Sequence, residues 1–514
     1  MKFATLHHTF TRVSGKEPNT ERQGLRRRDL LLSLKYCTIE ACFSVPALNL
    51  TMPTFPFILA YCTSIMRWPA WAIGVVAALP HICNFLQPPI SRFLEKRYSL
   101  YTIMRAGFLG SSLPWFLVGP FEHWPNIHAT AFAILLVIST LSNSICSVAW
   151  SSSISNVVPA RISGSYFGRR NLAFGAWTLL AVLTAGKIAD LFDDSPRIFG
   201  WIFAAAGAGR LTGLLFLTKM KFPIVVMQRK AETYKLADLL KPLLDRNYRT
   251  YMLFVGCWGL FLNMGMPFYT VYLLRRIGVN VGHILVLTTL ATLGGILTLK
   301  SWGVLTDRFG AKPVQYVCAY SWCFVGLIAW TITAPGREAH LFLSYLIVGG
   351  ATAGFQLTQF NLMLKLIPPG QASAYIAVFL ATTSALTCLG PLIGGILIAV
   401  LPDQLGTFGG QPITDHHLLF TLSFLGCLLS LPLLTSAREP AATEPQQVWR
   451  SMWRMRSFNP LLAAGTAASF LFTPSGLLSL GKYSIRTLRR QARTLLDVGA
   501  EIVEGGQTIL NRRF

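Results

Sequence analysis

The stretch Asn49-Leu50-Thr51-Met52-Pro53-Thr54-Phe55 returns 214 residues later as Asn263-Met264-Gly265-Met266-Pro267-Phe268-Tyr269. Asn, Met, Pro and an aromatic ring keep their spacing in both copies, and each copy stands inside a long apolar run. Two further matches follow in the same order. Arg92-Phe93 with Lys96 returns as Arg308-Phe309 with Lys312 at an offset of 216, and Pro159, Tyr166 and Gly186 return as Pro368, Tyr375 and Gly395 at 209. A shared order and a nearly shared offset read as the duplication of one unit.

What kind of unit follows from the residues around these motifs. Of 514 residues, 53% are hydrophobic and 13% charged, with a mean hydropathy of +0.49. A soluble domain carries about a quarter charged residues, so this chain cannot cover its own surface with ions. Apolar runs long enough to cross a hydrocarbon core of roughly 30 Å recur along it. In lipid each backbone polar group must find its partner internally, which makes these runs helices. Spans are expected at 38–62, 69–90, 99–119, 128–155, 166–190 and 198–218, then at 250–274, 281–302, 313–334, 339–364, 372–401 and 416–436. The chain therefore divides into a basic tail (1–35), a six-helix bundle (36–218), a central loop (219–249), a second six-helix bundle (250–436) and a second basic tail (437–514).

The net charge of +24 raises the question of nucleic acid, and the distribution of charge answers it. Loops after even-numbered spans hold 18 Lys and Arg, loops after odd-numbered spans hold five, and the two tails add eight and eleven. Basic residues flanking spans on one side mark the cytoplasmic face, so both termini and the central loop are expected there, with the plasma (inner) membrane as the location. Anionic headgroups, and no nucleic acid, are the expected polyanion. An even number of spans per unit makes the repeat a parallel one, about an axis along the membrane normal. Residues 1–28 are polar and basic and do not read as a secretory signal. The ten cysteines form no CxxC pair and read as small buried hydrophobes.

The loop Gly303-Val-Leu-Thr-Asp307-Arg308-Phe-Gly310-Ala-Lys312 resembles the G-x-x-x-D-R-x-G-[RK]-[RK] loop of the major facilitator superfamily, with Ala311 where that loop is usually basic. The first-half counterpart, Gln87-Pro88-Pro89-Ile90-Ser91-Arg92-Phe93, lacks the leading Gly and the Asp. Gly390, Pro391, Gly394 and Gly395 suit the close helix packing of such proteins. The resemblance covers 36–436 and implies an all-α fold of twelve transmembrane helices in two related bundles. It also implies that Asp307, with Arg308, meets the cytoplasmic start of span 5. There Arg169 and Arg170 offer two guanidinium groups beside a helix N-terminus, so a cytoplasmic gate built on Asp307, Arg308, Arg169 and Arg170 is expected.

The same family places a substrate cavity among spans 1, 4, 7 and 10. Polar and indole side chains available there are Asn49; Asn143, Ser147 and Trp150; Trp258 and Asn263; and Gln356, Gln359 and Asn361. Neutral amides beside tryptophans suit a small, hydroxyl-rich or amide-bearing solute. Charged groups within spans are few. Lys187 and Asp190 are spaced to pair, Arg105 and Arg210 lie near enough to the edge to snorkel, and Glu40 stands in the first turn of span 1. Glu40 is the candidate for coupling to a proton, with an interfacial role beside Arg105 as the alternative.

No catalytic constellation, metal-ligand spacing or phosphate-cradling GxxxxGK[ST] is present, and no cofactor is expected. The functional expectation is a monomeric secondary carrier working by alternating access. Its alternative is a membrane protein of this fold that handles lipid or polysaccharide intermediates, or delivers a pigment to an assembly. The stretch 482–503 reads as a basic amphipathic helix on the anionic cytoplasmic leaflet. A fluorescent reporter that matures only in the cytoplasm should light up when fused to either terminus; darkness at one end would overturn the orientation.

Overall fold

The computed structural model describes residues 27–452 apart from 122–124, 159, 193–194, 223–235, 369–371, 409–410 and 440–442. The tails at 1–26 and 453–514, and with them the surface helix expected at 482–503, lie outside the described residues. Residues up to Thr443 pack as one unit, and the short helix Pro445–Met452 belongs to a separate one.

Eleven of the described helices are long and apolar enough to cross a membrane, from Arg28–Ile65 to Asp415–Ser436. The twelfth span, the third along the chain, is built from two shorter helices, Leu100–Ser112 and Pro114–Phe121. Pro114 has no N–H to donate and its ring crowds the preceding turn, so the helix stops there and restarts with proline in its first turn. Each of the twelve expected spans thus has its helix. Several run on past the apolar stretch into polar sequence, as Val281–Phe309 does to reach Asp307 and Arg308.

The quoted repeat is visible in the backbone. Asn49 Nδ2 donates to the carbonyl of Val45 one turn earlier at 3.0 Å, and Asn263 Nδ2 donates to Gly259 in the same way at 2.8 Å. Both spans end in a π-turn, Tyr61–Ile65 and Leu273–Ile277. A residue of positive φ then closes each, Arg67 at 50° and Gly278 at 80°. Between motif and turn the offset falls from 214 to 211. The surplus residues of the first half sit in the break between the helices Arg27–Thr51 and Pro56–Ala60. The second half keeps a continuous helix, Arg246–Tyr272, around Pro267. A second proline at 56 is what the first copy has and the second lacks.

Polar side chains inside the spans are satisfied locally. Hydroxyls of Thr51, Thr140, Thr212, Thr358 and Thr383 donate to carbonyls one turn back, at 2.7–2.9 Å, which spares them a partner in lipid. All ten cysteines are unpaired thiols, as their spacing led us to expect.

Hydrogen bonds and glycine contacts tie the two bundles at the end that carries the loops after odd-numbered spans. Arg275 donates to the Trp68 carbonyl at 2.7 Å, and Asp190 accepts the Gly282 N–H at 2.9 Å. Asp190 was expected to pair with Lys187. It instead reaches across to the N-terminus of span 8, where unmatched N–H groups favour an anion more than an exposed lysine does, and the two side chains form no ion pair. Span 5 meets span 8 and span 2 meets span 11 at glycines. A methyl at Gly186 would press on Gly282 and Leu285, and one at Gly395 on Ala70 and Trp71. Gly186 and Gly395 are mates in the repeat, so duplication built both seams. Between Asp415–Ser436 and the preceding span, an antiparallel hairpin, Gln404–Phe408 with Gln411–Thr414, adds strands that the sequence reading did not anticipate.

Gly395→Val should strain this seam by about 1–3 kcal/mol, read as a lower melting temperature in detergent. An unchanged melting temperature would show that the seam is not tightly packed.

Candidate functional site

Two cavities lie side by side where the bundles meet. One, of about 240 Å³, is walled by Trp258, Asn263, Phe355, Gln356, Gln359, Thr383, Ser384 and Thr387 of the second bundle, with His81 from the first. The other, of about 590 Å³, shares His81, Asn263, Trp322, Thr352 and Gln356 with it. It continues past Tyr269, Trp330 and Tyr345, and takes in Met52, Phe55 and Asn84 of the first bundle. The repeated Met-Pro pair ends here: Met52 and Met266 both face this cavity, 43% and 50% exposed. Among the described residues neither wall holds an Asp, Glu, Lys or Arg.

Four of the nine residues expected in the cavity line it: Trp258, Asn263, Gln356 and Gln359. Trp258 lies stacked on Phe355 with centroids 4.7 Å apart. The other five are placed elsewhere. Asn49 is spent on its own helix. Asn143 accepts from Arg210 at 3.1 Å, Ser147 bonds Ser144 and Gln87, and Trp150 carries the Arg170 guanidinium 4.7 Å above its ring. Asn361 lines a third cavity, of about 550 Å³, with Asp307, Arg308, Lys365 and Glu439.

His81 and the span 11 hydroxyls are the residues that sequence reasoning missed. The signal was present in both cases. His81 and Asn84 stand one helical turn apart, as do Thr383 and Thr387, on spans that the family resemblance had not pointed to. His81 stands beside Asn263, and its Nε2 is buried without a hydrogen-bond partner.

Three charged residues of the first bundle form a buried cluster. Glu40, Arg170 and Arg210 are 3%, 8% and 5% exposed. Glu40 was expected beside Arg105; its partner is Arg170, at 3.5 Å. Arg105 is exposed and stands over Tyr101. Arg210 does not snorkel: it lies 3.8 Å over the Phe108 ring and donates to Ser111 and Asn143 at 3.2 and 3.1 Å. Two guanidiniums and one carboxylate leave the cluster with excess positive charge, softened by aromatic faces.

In this conformation Arg170 and Asp307 form no ion pair, and the Arg169 side chain lies outside the described residues. Asp307 is exposed beside a tightly built joint. Glu439 accepts the N–H groups of Ala311 and Lys312 at 3.1 and 2.7 Å and the Lys365 ammonium at 2.8 Å. It thereby supplies the anion at the start of span 9.

Residues 251–488 match the sequence model of the Major Facilitator Superfamily. Autophagy-related protein 22-2 of Aspergillus oryzae is 28% identical over 173 residues, 29% of this chain, and the match spans only 27% of that relative's length. Among solved structures, the nucleoside transporter NupG superimposes with a TM-score of 0.57 at 14% identity, covering 82% of this chain and 99% of that one. A bacterial homologue of the iron transporter ferroportin, in an inward-facing state, gives 0.60 at 16%, covering 79% and 98%. A D-xylose-proton symporter gives 0.55 at 15%, covering 81% and 97%. At such identities these likenesses speak for the fold.

Arg170→Met strands the buried Glu40 carboxylate and should cost about 3–5 kcal/mol of stability. Adding Glu40→Gln should restore much of the lost melting temperature. A double variant no better than the single would show that the two groups are not coupled.

Proposed function

We propose that the chain, whose residues 251–488 match the Major Facilitator Superfamily, is a secondary carrier moving a small polar organic solute by alternating access about the central cavity. The observation that carries this reading is the convergence of His81, Asn263, Gln356, Gln359, Thr383 and Thr387 on one aromatic-floored cavity where the two bundles meet. Amides and hydroxyls both donate and accept, so they hold a hydroxyl-rich or amide-bearing solute without needing a charge on it. Rocking of the bundles about such a site would expose it to each side in turn. The names of two structural neighbours, a nucleoside transporter and a D-xylose-proton symporter, are in keeping with solutes of this kind.

Coupling and gating belong to the same proposal. Arg170 is bound to Glu40 in this conformation. A proton on Glu40 removes the charge that holds the guanidinium and frees Arg170 for Asp307 when the cytoplasmic ends of the bundles close. The lipid-handling and pigment-delivery alternatives drew on the C-terminal tail, which is outside the described residues, and on the scarcity of acids near the midplane, which the cavity walls share among the described residues.

The test is a thermal-shift screen of purified protein against sugars, nucleosides, amino acids, organic anions, cationic drugs and lysolipids. A ligand of the folded state raises the melting point by mass action. One polar class should stand out, and Asn263→Ala or Gln356→Ala should weaken it about tenfold, the loss of one hydrogen bond of about 1.4 kcal/mol. Stabilisation by lysolipids alone would sink the carrier reading. With the ligand in hand, Glu40→Gln should abolish uptake driven by a pH gradient while sparing exchange of solute for solute; intact pH-driven uptake would remove Glu40 from the mechanism.

A further inference from the structure

The two central cavities differ in chemistry. The smaller has hydroxyls and amides on its wall, from Thr383, Ser384, Thr387, Gln356 and Gln359. The larger runs into the second bundle among Trp322, Tyr269, Trp330 and Phe424. His81 and Asn263 stand at their join. Taking the central cavity as the binding site, we infer that its ligand is a neutral solute made of a flat ring and a hydroxyl-bearing part. The ring lodges among the aromatics of the larger cavity, the hydroxyls meet span 11, and His81 is the hook from the first bundle.

Three observations lead to this class. Neutrality follows from walls that hold no Asp, Glu, Lys or Arg among the described residues, His81 being their one imidazole. An ion entering them would shed its water with no counter-charge to meet it, and the bilayer around the site gives none. The chain does bury charge nearby, in the Glu40, Arg170 and Arg210 cluster, but keeps it in the packed first bundle. Flatness follows from two walls of near-parallel rings, Trp258 on Phe355 at 19° and Tyr269 on Trp330 at 9°. Paired rings present a plane, and a plane is best covered by another plane. The third observation is the buried Nε2 of His81, which stands beside the Asn263 side chain and has no hydrogen-bond partner among the described residues. Buried polar atoms are rarely left so, and this one stands in the wall of both cavities. In the smaller cavity His81 is the lone contribution of the first bundle, so a ligand bonded to it links the bundles.

The probes are uridine and adenosine, which have a neutral ring and ribose; D-ribose, which lacks the ring; and uridine 5′-monophosphate, which adds charge. Full-length protein in nanodiscs is followed by tryptophan fluorescence and melting temperature. The nucleosides should bind, with ribose and the monophosphate weaker by about tenfold or more. His81→Phe, which keeps the ring volume and removes the nitrogen, should weaken nucleoside binding about tenfold. Trp201→Phe, at a residue 74% exposed on the outer surface, should leave it unchanged. Equal binding of ribose or of the monophosphate overturns the inference, and so does failure of both nucleosides to bind. Ribose bound and taken up by proteoliposomes would overturn the ring while keeping the carrier. A nucleoside bound but never taken up would keep the ring and overturn the carrier.

Discussion

Inside a bilayer there is no water to complete an unmade hydrogen bond, and most of what this chain does locally answers that shortage. Its spans are helices because only a helix satisfies its own backbone within one segment. Threonine and serine side chains turn back onto carbonyls of the preceding turn, and both repeat asparagines do the same. Breaks appear only where a proline withholds a donor, at Pro53 and Pro56 in span 1 and at Pro114 in span 3. Met52 and Phe55 beside the first of these breaks line the cavity, as their mates Met266 and Tyr269 do from an unbroken helix.

The same shortage sorts the polar groups of the interior into two kinds. Glu40, Arg170 and Arg210 carry charge and are packed against one another, against neutral donors and acceptors, and against the rings of Trp150, Phe174 and Phe108. The cavity wall instead holds neutral amides, hydroxyls and one imidazole, which an empty or water-filled site tolerates far better than an ion. Charge is therefore kept where the protein is close-packed, and uncharged polarity lines the open cavity.

Duplication gave the molecule two seams, and later divergence made them unequal. Gly186 and Gly395 hold equivalent places in the seams of span 5 with span 8 and of span 11 with span 2. The Asp190 contact to Gly282 has no such mate, since the residue at the matching place is Ala399. The same inequality runs through the cavity, most of whose polar wall comes from the second bundle. Uncharged polarity thus gathers in the cavity wall of the second bundle, and buried charge in the packed interior of the first.

Membership of the membrane class, the number of spans, their duplication and the family resemblance were determined by the sequence alone, because each rests on local composition or on spacing along the chain. Lipid imposes its demand on every residue of a span separately, so a run of apolar residues is sufficient to report it. Trp258, Asn263, Gln356 and Gln359 were legible for the related reason that spans 7 and 10 carry few amides and indoles. Which partner each remaining polar group would take was decided only by tertiary structure. Glu40 chose Arg170 over Arg105, Asn143 turned to Arg210, Asp190 crossed to Gly282, and His81 entered a cavity made by the other half. Those choices depend on how far each helix is rotated and tilted against its neighbours. Rotation and tilt are set by glycine contacts and ring packing between segments tens to hundreds of residues apart, and no periodicity within a single span records them.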